Sequence, residues 1–115
     1  MADTLQTVVE TPEFMKRASN LMDDSLRTEF INFIANHPLK GDLIMGTGGA
    51  RKIRWAGHAN RGKSGGVRII YYYHDENMPI FLFTAYAKNQ RANITAAEKN
   101  ALKKIIQLIV KTYGR

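Results

Sequence analysis

The chain has 115 residues, no cysteine, 44% hydrophobic residues and a net charge of +7. That is enough for one domain with one core; without cysteine there is no disulfide and no thiolate metal site, and no apolar run approaches the roughly 20 residues that span a bilayer. The opening MADTLQTVVE has neither a basic start nor an apolar centre, which argues against a signal peptide and for the cytoplasm.

Residues 5–10, LQTVVE, suit a short strand. Thr11 then offers a cap, and Pro12 fits the first helical position, where its missing N–H costs nothing. A helix is therefore predicted over Pro12–Ser19. Asp23 or Asp24 can cap a second helix that carries Leu26, Phe30, Phe33 and Ile34 on one face. It ends at Asn36-His37-Pro38, because the residue before a proline avoids the α region; His37 reads as a helix-end residue.

The loop KGDLIMGTGGA follows, with GTGGA read as a tight turn between helix and strand. In RKIRW the period changes to two. Lys52 and Arg54 point one way, while Arg51, Ile53 and Trp55 point the other. AGHANRGKSGG is a glycine-rich hairpin connection. VRIIYYY is a strongly β-prone strand, HDENMP a turn that includes His74, and IFLFTAYAK an apolar strand suited to the centre of a sheet. Thr95 and Glu98 form a Thr-x-x-Glu capping box. Leu102, Ile105, Ile106, Ile109 and Tyr113 give the last helix its apolar stripe, and Gly114 is placed to end it. The order β-α-α-β-β-β-α defines a single α+β domain over 1–115, with a small antiparallel sheet packed against N-terminal helices and a C-terminal helix.

Charge is spread unevenly over these elements. Residues 1–42 carry seven acids and four bases; residues 43–74 carry six bases and no acid; residues 75–115 carry three acids and seven bases. Such asymmetry suggests an anionic partner for the second half, most often nucleic acid, against the alternative of a solvated basic face. GTGGA is no phosphate loop, since it lacks the lysine-Ser/Thr ending and a following helix. The three histidines have no metal-ligand spacing, so a zinc site is not expected; no cofactor is expected either.

If the three long strands are neighbours, Lys52, Arg54, Arg68 and Lys88 converge on one sheet surface. A phosphate would satisfy that cluster, with arginine binding it bidentately and lysine acting as a point charge. Tyr86 is a candidate to position or stack RNA, or else a core residue. Arg51, His58, Arg61 and Lys63 are candidates to grip RNA outside the reacting centre. Trp55 reads as core.

The segments GDLIMGTGGARKIRWA, RGKSGGVRIIYYY and TAYAKNQ, followed by a lysine-rich helix, resemble the RelE superfamily of bacterial toxins, in its HigB-like branch. The resemblance implies a RelE-like fold and a metal-independent, ribosome-dependent endoribonuclease that cleaves mRNA and stops translation. It implies a cognate antitoxin, usually of helix-turn-helix type in that branch, through which alone the toxin meets operator DNA. The family's paired basic positions match Lys52 and Arg54, its next-strand arginine matches Arg68, and its basic position after the last strand matches Lys88. Some members carry an arginine where this chain has Asn89 and a tyrosine near the place of Thr95; others use histidines near the C-terminus, where this chain has none. Arg54 and Arg68 are expected to hold the scissile phosphate, and Lys52 and Lys88 to share proton transfer. The competing class is a non-catalytic RNA- or DNA-binding module of phage or plasmid origin using the same basic sheet.

Overall fold

The computed structural model describes residues 6–56 and 66–113. Strand β1 (Val8–Glu10) leads through Thr11 into α1 (Pro12–Ser19). The Thr11 hydroxyl accepts the Phe14 N–H at 3.2 Å and donates to the Leu82 carbonyl at 2.8 Å. One side chain thus starts the helix and ties it to the sheet. Helix α2 (Asp24–Asn36) is capped by Asp23, whose carboxylate accepts the Leu26 N–H at 2.8 Å, and it stops at His37 before Pro38. There follow β2 (Asp42–Leu43), β3 (Arg51–Trp55), β4 (Val67–Tyr72), β5 (Ile80–Ala87) and α3 (Ala96–Tyr113).

The five strands form one sheet in the order β1-β5-β4-β3-β2. Two features depart from the expectation. GTGGA joins β2 to β3 rather than a helix to a strand, because the loop before it contributes the two-residue β2 paired to Arg51 and Lys52. The buried Thr47 hydroxyl closes this turn, donating to Ile44 O at 2.7 Å and accepting the Ala50 N–H at 3.0 Å. The sheet is also mixed rather than antiparallel, since β1 runs parallel to β5. No hairpin links those two strands, so no turn dictates their direction. It is set by long-range bonds, from Ile80 N–H to Thr7 O at 2.8 Å and from Thr11 to Leu82.

Alternation divides the sheet between two cores. Val67, Ile69 and Tyr71 of β4 pack with Ile80, Leu82 and Ala85 of β5 against Phe14, Phe30 and Ile34 of α1 and α2. Ile70, Tyr72, Phe81 and Phe83 pack against Leu102 and Ile106 of α3. Trp55 lies with the first cluster, edge-on to Phe30 at 5.2 Å, its indole N–H donating to Leu26 O at 3.2 Å. The buried Tyr71 hydroxyl donates to Pro38 O at 2.8 Å and accepts the Gly41 N–H at 2.9 Å. A Cβ on residue 41 would lie 2.8 Å from the Tyr71 ring, so this close approach requires glycine. In β5, Ile70 faces Thr84 while Tyr71 faces Leu82, leaving Phe83 as an extra residue and the strand bulged. Among the described residues, no helix is long and apolar enough to cross a membrane.

Candidate nucleic-acid interface on the basic sheet face

β3, β4 and β5 are neighbours, as convergence of the cations requires. Arg54 stands directly opposite Arg68, and Arg68 directly opposite Tyr86. Lys52 lies one same-face position inward, opposite Ile70. Lys88 lies one position outward, its N–H donating to Gly66 O at 3.1 Å. Because Ile53 and Trp55 join the α1/α2 core, Lys52 and Arg54 face the α3 side. Side chains directly opposite on neighbouring strands have Cβ atoms about 4.5–5.5 Å apart, and like charges there repel. Arg54 is exposed, while Lys52, Arg68 and Lys88 are half-buried. The row therefore suits an anion that bridges β3 and β4.

Gly66 fixes the open end of this row. It has φ +73°, and a Cβ there would sit 2.6 Å from the Trp55 carbonyl oxygen. Only glycine turns the chain into β4 at that distance and keeps its own carbonyl aimed at Lys88.

The loop between β5 and α3 closes over the row. Arg91 lies over the Tyr86 ring, 5.2 Å from its centroid. Its guanidinium is held by the Glu98 carboxylate through both terminal nitrogens, Nη1 donating at 3.1 Å, and Nη2 also donates to Asn93 O at 3.1 Å. Glu98 in turn accepts the Thr95 N–H at 2.7 Å, and the Thr95 hydroxyl accepts the Glu98 N–H at 3.1 Å, which is the reciprocal capping box at the start of α3. The Arg91 hydrogen bonds, followed by the Thr95 N–H, hold the Glu98 carboxyl down to about 2. Lys52 Nζ donates to Asn93 Oδ1 at 3.5 Å, so the loop reaches from β5 across to β3.

Tyr86 is 7% exposed and belongs to the α3-side core. Among the described residues its hydroxyl is the buried side-chain polar atom without a hydrogen-bond partner. Burial pushes its pKa up, Arg91 and Arg68 pull it back, and Glu98 adds to the rise. At neutral pH it is a phenol that can donate a proton in a hydrogen bond, not a phenolate base.

The other candidates fall elsewhere. Arg51 Nη1 donates to Gly41 O at 2.6 Å and Leu39 O at 3.3 Å, so it braces the approach to β2 and does not join the cluster. His58, Arg61 and Lys63 lie outside the described residues. His74 sits in the turn after β4, where its Nδ1 shares a hydrogen bond of 2.9 Å with the Tyr72 hydroxyl. Thr95, near the place where some relatives carry a tyrosine, is occupied as a helix cap. Among the described residues, no three of His, Cys, Asp and Glu gather as a metal site. Sequence reasoning missed Arg91, Lys99 and Lys103. The two lysines run beside the β2–β3 turn, within reach of Gly46 and Gly48, and extend the basic face onto α3. Their four-residue spacing was the available signal; Arg91 had none beyond its charge.

The family model described as the RelE toxin of the RelE / RelB toxin–antitoxin system matches residues 8–114. The match begins at β1 and runs through α3, so it takes in every element that builds the basic row. The chain belongs to the RelE toxin family, and its family role is that of the toxin partnered by an antitoxin.

Proposed function

We propose that this toxin is a metal-independent, ribosome-dependent endoribonuclease of the HigB-like branch, built as one catalytic domain, that cleaves mRNA and so inhibits translation in the cytoplasm. The supporting observation is the register that sets Arg54 opposite Arg68 on the same face as Lys52. In such a reaction the 2′-oxygen attacks the adjacent phosphorus, the 5′-oxygen leaves, and a 2′,3′-cyclic phosphate remains. Arg54 and Arg68 hold the scissile phosphate and stabilise the charge that builds on its oxygens. Lys52 and Lys88, the members of the cluster able to lose a proton, share its removal from the 2′-hydroxyl and its delivery to the 5′-oxygen. Lys99 and Lys103, with Arg61 and Lys63, grip ribosomal RNA. The ribosome orients the message and supplies effective concentration, so purified protein cuts free RNA weakly or not at all. The antitoxin is of helix-turn-helix type and carries the operator contact.

The test is expression without antitoxin. Growth and protein synthesis should stop, and primer extension on cellular mRNA should map cuts inside translated reading frames. Normal growth at confirmed soluble expression would contradict the reading. Ribosome and RNA binding without cuts would instead identify a non-catalytic binding module.

A further inference from the structure

A second recess adjoins the basic row. It is a cleft of about 370 Å³ beside the second half of β5, bordered by α1 on one side and by the 88–95 loop on the other. Tyr86 and Arg91 belong to its lining, as do Glu13, Asn89, Gln90 and Glu98. Its volume falls within the range of small-molecule sites.

The chemistry of this lining differs from that of the row. Among the described residues, the charged side chains that border the cleft are two acids and two arginines, and they are paired: Glu13 with Arg17 at 2.9 Å, and Glu98 with Arg91. Beside a strongly cationic surface, a neutral and polar recess attracts no second phosphate. Its carboxylates and amides are suited to hydrogen-bonding groups on a flat, uncharged ring. Arg91 adds a guanidinium plane, on which unstacked bases of single-stranded RNA commonly rest. Tyr86 joins the two regions, since it lines the cleft and stands opposite Arg68 in the ladder.

We infer that the cleft lined by Glu13, Asn89, Gln90 and Arg91 is a subsite for one unstacked nucleobase of the RNA, next to the phosphate held by Arg54 and Arg68. This rests on the endoribonuclease reading above. The subsite favours bases with an exocyclic amino group. A carboxylate only accepts hydrogen bonds, so Glu13 at the rim rewards the amino group of adenine, cytosine or guanine. Uracil has none. Arg17 and the Thr84 hydroxyl both donate to Glu13 Oε2, at 2.9 and 3.3 Å, and do not use up a carboxylate that offers about four acceptor positions.

The probe is a set of uncleavable 2′-O-methyl trinucleotides, all-A, all-C, all-G and all-U, titrated into isotope-labelled full-length protein and followed by amide chemical shifts. All-A, all-C and all-G should move the amides of residues 84–91 and of α1, and should bind at least about five-fold tighter than all-U, the minimum expected of one good side-chain–base pairing. Glu13→Ala should level that preference, and Glu13→Gln, which keeps a carbonyl acceptor, should retain part of it. Equal affinity for all-A and all-U, shifts confined to β3, β4 and α3, or no shift with any trinucleotide would each overturn the inference. Cleavage on translating ribosomes is measured separately. Its absence with wild-type protein would sink the endoribonuclease reading while leaving the trinucleotide result to stand or fall on its own.

Discussion

Arg54 and Arg68 occupy directly opposed positions on adjacent antiparallel strands. A fold selected for stability alone would put unlike charges there, because opposed like charges cost about 0.2–1 kcal/mol. Arg54→Glu should therefore leave the fold as stable or raise it by up to about 1 kcal/mol, while destroying cleavage. Chemical denaturation and a translation assay on the same variant measure both. A loss of stability alongside activity would mean that the row is structural.

Gly66 tests the backbone that frames the site. An alanine there would meet the Trp55 carbonyl at 2.6 Å with φ at +73°. The expected cost is about 1–3 kcal/mol, read as a lower unfolding midpoint. The Lys88 N–H bond to Gly66 O should loosen with it, so amide exchange at Lys88 should speed up even where the variant remains folded.

Much of this was legible from local rules. Thr11, Asp23 and the Thr95–Glu98 box announce the three helix starts, and each cap forms as its chemistry requires. Period-two alternation in RKIRW is enough by itself to separate Lys52 and Arg54 from Ile53 and Trp55. What remained hidden depends on partners far away in sequence. The direction of β1 rests on bonds to residues some seventy positions later. Strand β2 is two exposed residues with no pattern of its own. The role of Arg91 emerges only when the loop after β5 folds back onto Tyr86 and meets Glu98. The outlying placement of Arg51 follows from its alternation, but its bonds to Leu39 and Gly41 do not.

Glu98 gives the fold an acid-sensitive clasp. Its carboxyl is lowered from an ordinary 4.5 to about 2 in the folded chain, chiefly by Arg91. A depressed carboxylate stabilises the fold above its unfolded pKa. That contribution is therefore complete above about pH 5 and is lost as pH falls from 4.5 towards 2. The side chain is 45% exposed, so solvent screening limits the effect to about 1 kcal/mol or less. Urea unfolding of wild type and Glu98→Gln should differ at pH 7 and converge near pH 2. A constant difference across that range would contradict the assignment.

Lys99 and Lys103 lie beside the β2–β3 turn and extend the basic face onto α3. Replacing both by alanine should weaken ribosome binding and flatten its dependence on log salt by about 2 units, roughly one per lost phosphate contact. Cleavage at saturating protein should be unchanged. A fall in the saturated rate would move these lysines into the catalytic group.

The central claim is that the β3–β4 face carries out RNA cleavage, and Arg68 tests it most directly. Loss of a comparable preorganised donor lowers rates about 10²–10³-fold. Single-turnover cleavage of mRNA on programmed ribosomes should be measured for wild type and Arg68→Ala, with ribosome affinity determined in parallel and circular dichroism confirming the fold. The prediction is a variant that still binds ribosomes but cleaves about 10²–10³-fold more slowly. Folded Arg68→Ala cleaving at the wild-type rate would contradict the placement of the active site on this face.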